Sequence, residues 1–330
     1  MKTHMPDKLL LANLPTRIEK LERLSKELKG SSIYIKRDDQ TGLEWSGNKV
    51  RKLEYAVKEA LDNGCNCLIT CGGNQSNHCR ATAAVAAKLG LKSCLVLRGS
   101  EDSPVEGNLF LNKLFGAEIR FITPEEYSTS RNEIMQQIAD EKSKAGNKAY
   151  IIPEGASNGI GSLGYYNAML EIADQEIAMN VNFDAIVVAV GSGGTYAGML
   201  LGKKLTGHKA ALPGYLVGGS ISYFEETILS IFDEFSKKFQ IEASPDVNEL
   251  NLIDSYIGRG YGLNTPEELD FIKYMAKLEG VVLDNVYTGK AMFGLVSDIK
   301  QGKYNGMKNI LYIHTGGMFE LFSQTKQIVF

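Results

Sequence analysis

Ala185-Ile186-Val187-Val188-Ala189-Val190-Gly191-Ser192-Gly193-Gly194-Thr195 is the stretch that decides the fold. Six apolar residues in a row, four of them β-branched, read as a buried strand. Gly191 to Gly194 then turn the chain, and Thr195 leads into Ala197-Gly198-Met199-Leu200, a helix start. A strand, a glycine turn and a helix start form one half of a parallel β-α-β unit. The geometry also leaves free backbone N–H groups where a phosphate can bind. It is not a GxxxxGK[ST] loop, because no lysine follows the last glycine. It is not a dinucleotide turn either, since no acidic residue closes a second strand about twenty residues on. A tight turn that only brings helix and sheet together is the competing reading.

Outward from this unit, the same alternation covers most of the chain. Residues 33–35, 67–70, 94–97, 118–121, 150–152 and 310–313 read as further strands. Helical periods fall at 52–62, 77–88, 108–115, 125–145, 161–179, 195–205, 266–279 and 289–300. Such alternation gives an α/β fold of two domains, with parallel sheets covered by helices on both faces. Residues 50–155 hold four β-α units and are expected to form a small domain. Residues 1–49 with 156–330 would form a larger, discontinuous one. Residues 232–255 read as a polar helix end and loop, and there is no internal repeat.

Composition narrows the function classes. Across 330 residues, 44% apolar and 23% charged content is ordinary for a globular protein, and the net charge of −3 argues against nucleic acid or an anionic membrane as partner. No apolar run approaches the ~20 residues of a membrane span. Met1-Lys2-Thr3-His4-Met5-Pro6 has no apolar signal core behind it, so the cytoplasm is the expected compartment. The cysteines (Cys65, Cys67, Cys71, Cys79, Cys94) are odd in number and sit in or beside apolar runs, which points to core positions and to neither disulfides nor a metal site.

Two further stretches carry chemistry. Ser46-Gly47-Asn48-Lys49-Val50-Arg51-Lys52 puts Lys49 at a helix start, where the positive end of the dipole favours the neutral amine that a Schiff base needs. A solvated lysine in a charged first turn is the plainer reading. Gly72-Gly73-Asn74-Gln75-Ser76-Asn77-His78 follows a strand and opens a helix, at the carboxyl end where ligands collect in open α/β sheets. A helix cap needs one such polar residue, not five. His78 reads as a base or as a hydrogen-bond partner, and His314 as core. Tyr261 and Tyr287 lie in glycine-adjacent loops. A lysine nucleophile, a hydrogen-bonding loop and an anion cradle suit a cofactor with an aldehyde at one end and a phosphate at the other, and pyridoxal 5'-phosphate is the candidate.

Lys36-Arg37-Asp38-Asp39, Gly47-Asn48-Lys49-Val50-Arg51-Lys52-Leu53-Glu54-Tyr55, Gly73-Asn74-Gln75-Ser76-Asn77-His78, Val286-Tyr287-Thr288-Gly289-Lys290 and His314-Thr315-Gly316-Gly317 together resemble the family of D-cysteine desulfhydrases and 1-aminocyclopropane-1-carboxylate deaminases. The resemblance runs from about residue 8 through nearly the whole chain. It implies a tryptophan-synthase-β-like subunit, commonly a homodimer, that binds pyridoxal phosphate and a small amino-acid substrate. Lys49 would hold the cofactor as a Schiff base, Asn77 would bond its ring hydroxyl, and Tyr287 would lie against the ring. Lys52 and the backbone of Gly191, Ser192, Gly193, Gly194 and Thr195 would hold the phosphate. Ser76 would act at the substrate face with Tyr261 nearby, and Asn74, Gln75 and His78 would complete the substrate contacts.

Two positions separate the branches. Sequences similar to the deaminases carry Glu at the place of Thr288 and Leu at the place of Thr315; the threonines resemble the desulfhydrase branch. A carboxylate at the pyridine nitrogen makes the ring a strong electron sink, which suits the opening of an unactivated cyclopropane. A neutral hydroxyl weakens the sink, but a thiolate, whose conjugate acid has a pKa of about 8.5, leaves readily. The expectation is a D-cysteine desulfhydrase giving pyruvate, hydrogen sulfide and ammonia. Its rivals are the cyclopropane deaminase, a lyase on another β-substituted amino acid such as L-cysteate, and a catalytically silent cofactor-binding protein. His78 departs from the glutamine of similar deaminases.

Overall fold

A computed structural model describes residues 5–328. The strands in chain order are β1 (Ile18–Lys20), β2 (Ser32–Lys36), β3 (Cys67–Gly73), β4 (Lys92–Arg98), β5 (Glu118–Ile122), β6 (Ala149–Ile151), β7 (Ala185–Val190), β8 (Pro213–Leu216), β9 (Asn251–Ile253) and β10 (Asn309–Ile313). The first helices are α1 (Glu22–Leu28), α2 (Lys49–Asp62), α3 (Asn77–Lys88), α4 (Gly107–Leu114), α5 (Pro124–Thr129) and α6 (Arg131–Lys144). They are followed by α7 (Gly159–Met179), α8 (Gly194–Thr206), α9 (Ile221–Phe239), α10 (Pro266–Glu279), α11 (Thr288–Lys300) and α12 (Met318–Leu321).

Two sheets result. One has the order β1-β2-β10-β7-β8-β9 and is parallel except for β1, which pairs antiparallel at the edge. The other, β5-β4-β3-β6, is parallel throughout and drawn from residues 67–151. Every residue of β7 is buried, as its unbroken apolar run requires with helices on either side. All five cysteines are buried and unbridged, four of them in β3, α3 and β4. No helix among the described residues is long and apolar enough to cross a membrane.

The structure corrects one reading and adds to another. The expected helix over 125–145 is two helices, broken at Ser130, whose φ of −132° leaves the helical region. Residues 232–255 do hold a helix end and a loop, with α9 running to Phe239, and they also contain the short strand β9. Phe232 and Phe235 bury one face of α9 while the charged residues between them face outward, so the polarity that read as irregularity is a solvated helix face.

Helix α7 packs against both α2 and α8. A Cβ on Gly164 would lie 2.5 Å from the Arg51 carbonyl carbon, so only glycine lets α7 lie this close to α2. Beneath that contact Arg51 is buried, donating to Asp38 at 2.8 and 2.9 Å and to Glu171 at 2.9 Å. Lys36 at the end of β2 donates to Glu171 at 2.6 Å, and the Tyr165 hydroxyl to Asp38 at 2.6 Å. These bonds fix the start of α2, and with it Lys49, against β2 and α7.

Candidate active site

The carboxyl ends of β3, β7 and β10 converge on one cleft. Lys49, Ser76, Asn77, His78, Gly191, Ser192, Gly193, Thr195, Tyr261, Tyr287 and Thr315 all line it. These residues, far apart in sequence, come together because each follows a strand end or opens a helix at the same edge.

Lys49 begins α2. Burial draws its amine down to about 8, with Glu154 and Cys79 opposing. Asn48, just before it, does not cap the helix; its Nδ2 donates to Thr195 Oγ1 at 2.9 Å, tying the lysine's turn to the glycine loop. That loop enters α8 at Gly193, which caps the helix with φ +77°, a left-handed backbone that side chains rarely adopt. Lys52, fully buried one turn beyond Lys49, donates to the Gly155 carbonyl at 2.8 Å. A Cβ on Gly194 would come within 2.8 Å of Lys52 Nζ and 2.6 Å of Ser157 Oγ. Ser157 in turn bonds Ser192 at 2.9 Å. The helix N-terminus, the buried Lys52 amine and two serine hydroxyls gather the kinds of donor that an anion needs.

Ser76 is the N-cap of α3: its Oγ accepts from the Cys79 N–H at 3.2 Å and also lies beside the Cys79 thiol. Thr70 explains His78. Its hydroxyl donates to the Ile152 carbonyl at 2.7 Å, so it can only accept from His78 Nε2, 2.8 Å away. Nδ1 is buried without a protein partner. Burial, with the charges of Lys49 and Lys52, holds the imidazole well below its usual range, so His78 is neutral. A side chain so reluctant to protonate fits a hydrogen-bonding role better than that of a base. Tyr287 stands against Gly191, where a Cβ would reach 2.7 Å from its Cε1, and its hydroxyl bonds that of Tyr261. Burial, together with Tyr261, pushes the Tyr287 phenol well up, so it stays protonated at neutral pH.

Five expected residues, Lys52, Gly194, Asn74, Gln75 and Thr288, do not line the cleft; the first two adjoin each other as described above. Asn74 donates to Ser103 Oγ at 2.7 Å. Gln75 accepts from the Asn108 N–H at 2.8 Å and donates to the Glu106 carbonyl at 3.1 Å, so its side chain secures the start of α4. Thr288 is fully buried at the start of α11. Its hydroxyl accepts from the Asp284 N–H at 2.9 Å and donates to Asp284 Oδ2 at 2.5 Å. Asp284 also takes the N–H groups of Val286, Tyr287 and Thr288, as a helix cap does.

Sequence reasoning missed Glu154 and Gly155, which line the cleft beside the anion site, and Asp284 behind it. A signal existed for the first pair: Pro153-Glu154-Gly155 follows strand β6 and precedes the Asn158 cap of α7, another strand end opening onto a helix.

The model of the family described as "Pyridoxal-phosphate dependent enzyme" matches residues 9–316. The chain belongs to that family. Pyridoxal-phosphate dependence fits the geometry as well: an anion cradle closed by Lys52 lies in the same cleft as a lysine of lowered basicity. A Thermotoga maritima protein provisionally named a 1-aminocyclopropane-1-carboxylate deaminase is 44% identical over 322 residues, 96% of this chain and 97% of that one. The mitochondrial bifunctional D-cysteine desulfhydrase/1-aminocyclopropane-1-carboxylate deaminase of Arabidopsis thaliana is 42% identical over 327 residues, 96% of this chain and 80% of that one. A solved structure of a homologue of 1-aminocyclopropane-1-carboxylate deaminase superposes with a TM-score of 0.86 at 38% identity, covering 98% of this chain and 95% of that one. Within the pyridoxal-phosphate-dependent enzymes the chain therefore stands in the deaminase and desulfhydrase group.

Proposed function

We propose that the protein eliminates thiolate from D-cysteine, giving pyruvate, hydrogen sulfide and ammonia. The observation that carries this reading is the neutrality of positions 288 and 315. Thr315 lines the cleft as a hydroxyl, and Thr288 spends its proton on Asp284 behind the wall. Among the described residues Glu154 is the one carboxylate lining the cleft, and its charge acts on Lys49. Without an anion at those positions, a substrate with a good leaving group is favoured over a strained carbon ring. The stereochemical half of the proposal rests on the resemblance to the desulfhydrase branch.

Pyridoxal phosphate, when bound, supplies the carbonyl for the substrate amine and the electron-accepting ring. The protein supplies the rest. Lys52, Ser157, Ser192 and the N–H groups opening α8 would hold the phosphate. Lys49 would hold the carbonyl end, and its amine, already drawn down toward neutrality, would serve as the base for the substrate Cα proton. Ser76, which lines the cleft, would present its hydroxyl at the substrate face. Tyr261 and Tyr287 share a hydrogen bond and can present one phenolic proton to a leaving sulfur. A homodimer is the assembly proposed from the resemblance; sedimentation at the mass of one chain would oppose it.

Deamination of 1-aminocyclopropane-1-carboxylate is the second reading, favoured by the name of the 44% identical relative. Sulfide, ammonia and keto-acid release measured on D-cysteine, L-cysteine, L-cysteate and 1-aminocyclopropane-1-carboxylate separates them. Faster turnover of the cyclopropane or of either L-substrate would overturn the D-cysteine assignment.

A further inference from the structure

Asn77 faces the cleft with a carboxamide whose orientation can be deduced. The backbone carbonyl of Gln75 can only accept, whatever its neighbours do. Asn108 Nδ2 donates to it at 2.7 Å, so the Nδ2 end of Asn108 is fixed. The same nitrogen lies 2.9 Å from Asn77 and has one hydrogen left, so the Asn77 atom facing it must be Oδ1. Asn77 Nδ2 therefore lies on the other side, where Glu320 Oε2 accepts from it at 3.1 Å. One Nδ2 hydrogen remains, and Asn77 lines the cleft.

We propose that Glu320, with Asn108 on the opposite side, is a positioning residue that holds the Asn77 amide so that it offers the cleft an N–H donor and never its oxygen. The group it would serve is an oxygen on the cofactor ring, so the inference rests on the proposed cofactor site. Glu320 lies on α12, contributed by the segment after the last strand, and is buried. Its other neighbours do not offer the same service. Arg80, the cation facing it from α3, turns its two terminal nitrogens to the carbonyls of Glu44 at 2.6 Å and Ser46 at 2.9 Å. Asp284, on the loop before α11, is occupied by the cap described above. Burial and the nearness of Asp284 push the Glu320 carboxyl well up from its ordinary range. Protonation leaves its role intact, because the carbonyl oxygen of a neutral carboxyl accepts a hydrogen bond as the anion does. Glutamine should therefore replace it, and methionine, of similar size but a poor acceptor, should not.

The test uses the full chain stripped of cofactor and titrated with pyridoxal phosphate, following both affinity and the visible absorption of the bound cofactor, which reports on the hydrogen bond at its ring oxygen. Glu320→Met should bind about tenfold or more weakly and show a shifted absorption band, since a hydrogen bond held in place is lost. Glu320→Gln should bind and absorb like the wild type. Asn108→Leu, which frees the amide from its other side without touching α12, should shift the band in the same way. Wild-type affinity and spectrum in Glu320→Met, with an unchanged melting curve, would overturn the positioning role alone. Equal loss in Glu320→Gln would also overturn it, pointing to charge in place of an acceptor. A wild-type protein that takes up no pyridoxal phosphate would overturn both this inference and the cofactor site.

Discussion

Lys49 titrates near 8 where an ordinary lysine does so at about 10.4. The neutral amine therefore builds up as pH rises through 8. The rate at which cofactor-free protein captures pyridoxal phosphate should climb up to about pH 8 to 9 and then level off, whereas an unperturbed lysine would keep climbing for two further pH units. Borohydride reduction should fix the label on the peptide containing Lys49, and Lys49→Ala should lose both label and turnover while melting like the wild type. Position 288 yields a sharper prediction. Glutamate there would set a second carboxylate against Asp284 in a fully buried site. Thr288→Glu should lose stability on the order of 3 kcal/mol in denaturant titrations, and adding Asp284→Asn should recover part of it. The pair Thr288→Glu with Thr315→Leu should shift activity toward the deaminase reaction only weakly for that reason. At this scale the motifs located the cleft well, because glycine turns and polar helix starts mark strand ends locally. They could not tell which way Asn74 and Gln75 turn, since that depends on a distant segment, residues 103–108, docking beside them.

The glycine loop and the helix it opens act as one element. If the N–H groups opening α8 hold a phosphate with Lys52, Gly194→Val should weaken cofactor affinity strongly, because its side chain would enter the space between Ser157 Oγ and Lys52 Nζ. Unchanged cofactor occupancy in folded Gly194→Val would leave only a packing turn. Gly164→Leu tests the crossing of α7 and α2 by a different readout: its side chain would meet backbone rather than flexible atoms, and the variant should lose about 3 kcal/mol or fail to fold. Elements with a strong period were legible from the sequence. Helices α3 and α10 begin and end where the capping and proline signals place them, as with Thr265, Pro266 and Gly280 around α10. Strands β1, β8 and β9 were not, because three or four residues, in β8 including a proline and a glycine, carry too little pattern, and pairing with neighbours makes them strands.

For the whole molecule, the buried charges around Arg51 join β2, α2 and α7. Burial alone would raise Asp38 and Glu171, but Arg51 and Lys36 hold both below the ordinary carboxylate range. A carboxylate depressed in the folded state contributes stability that is complete above about pH 4 and is lost as pH falls through the folded value. Arg51→Leu should cost about 3–5 kcal/mol at neutral pH by stranding two carboxylates. The gap in melting temperature from the wild type should narrow as the pH falls below about 4. The division proposed at residues 49 and 50 falls at the first turn of α2, which packs against both α7 and α3. Limited proteolysis that leaves residues 50–155 as a protected fragment would support it.

The position of β10 bears on how the chain is made. It lies between β2 and β7 in the sheet, yet it is the last of the described strands to be synthesised. Until it emerges, two growing parallel edges stand open with nothing between them, while the four-stranded sheet from residues 67–151 already has all its partners. The nascent chain should therefore be half-built and adhesive for most of its translation, needing protection at the edges of β2 and β7. It also gains Thr315 and Glu320 only as that gap closes, so the capacity to hold a cofactor arrives together with the final strand and not before.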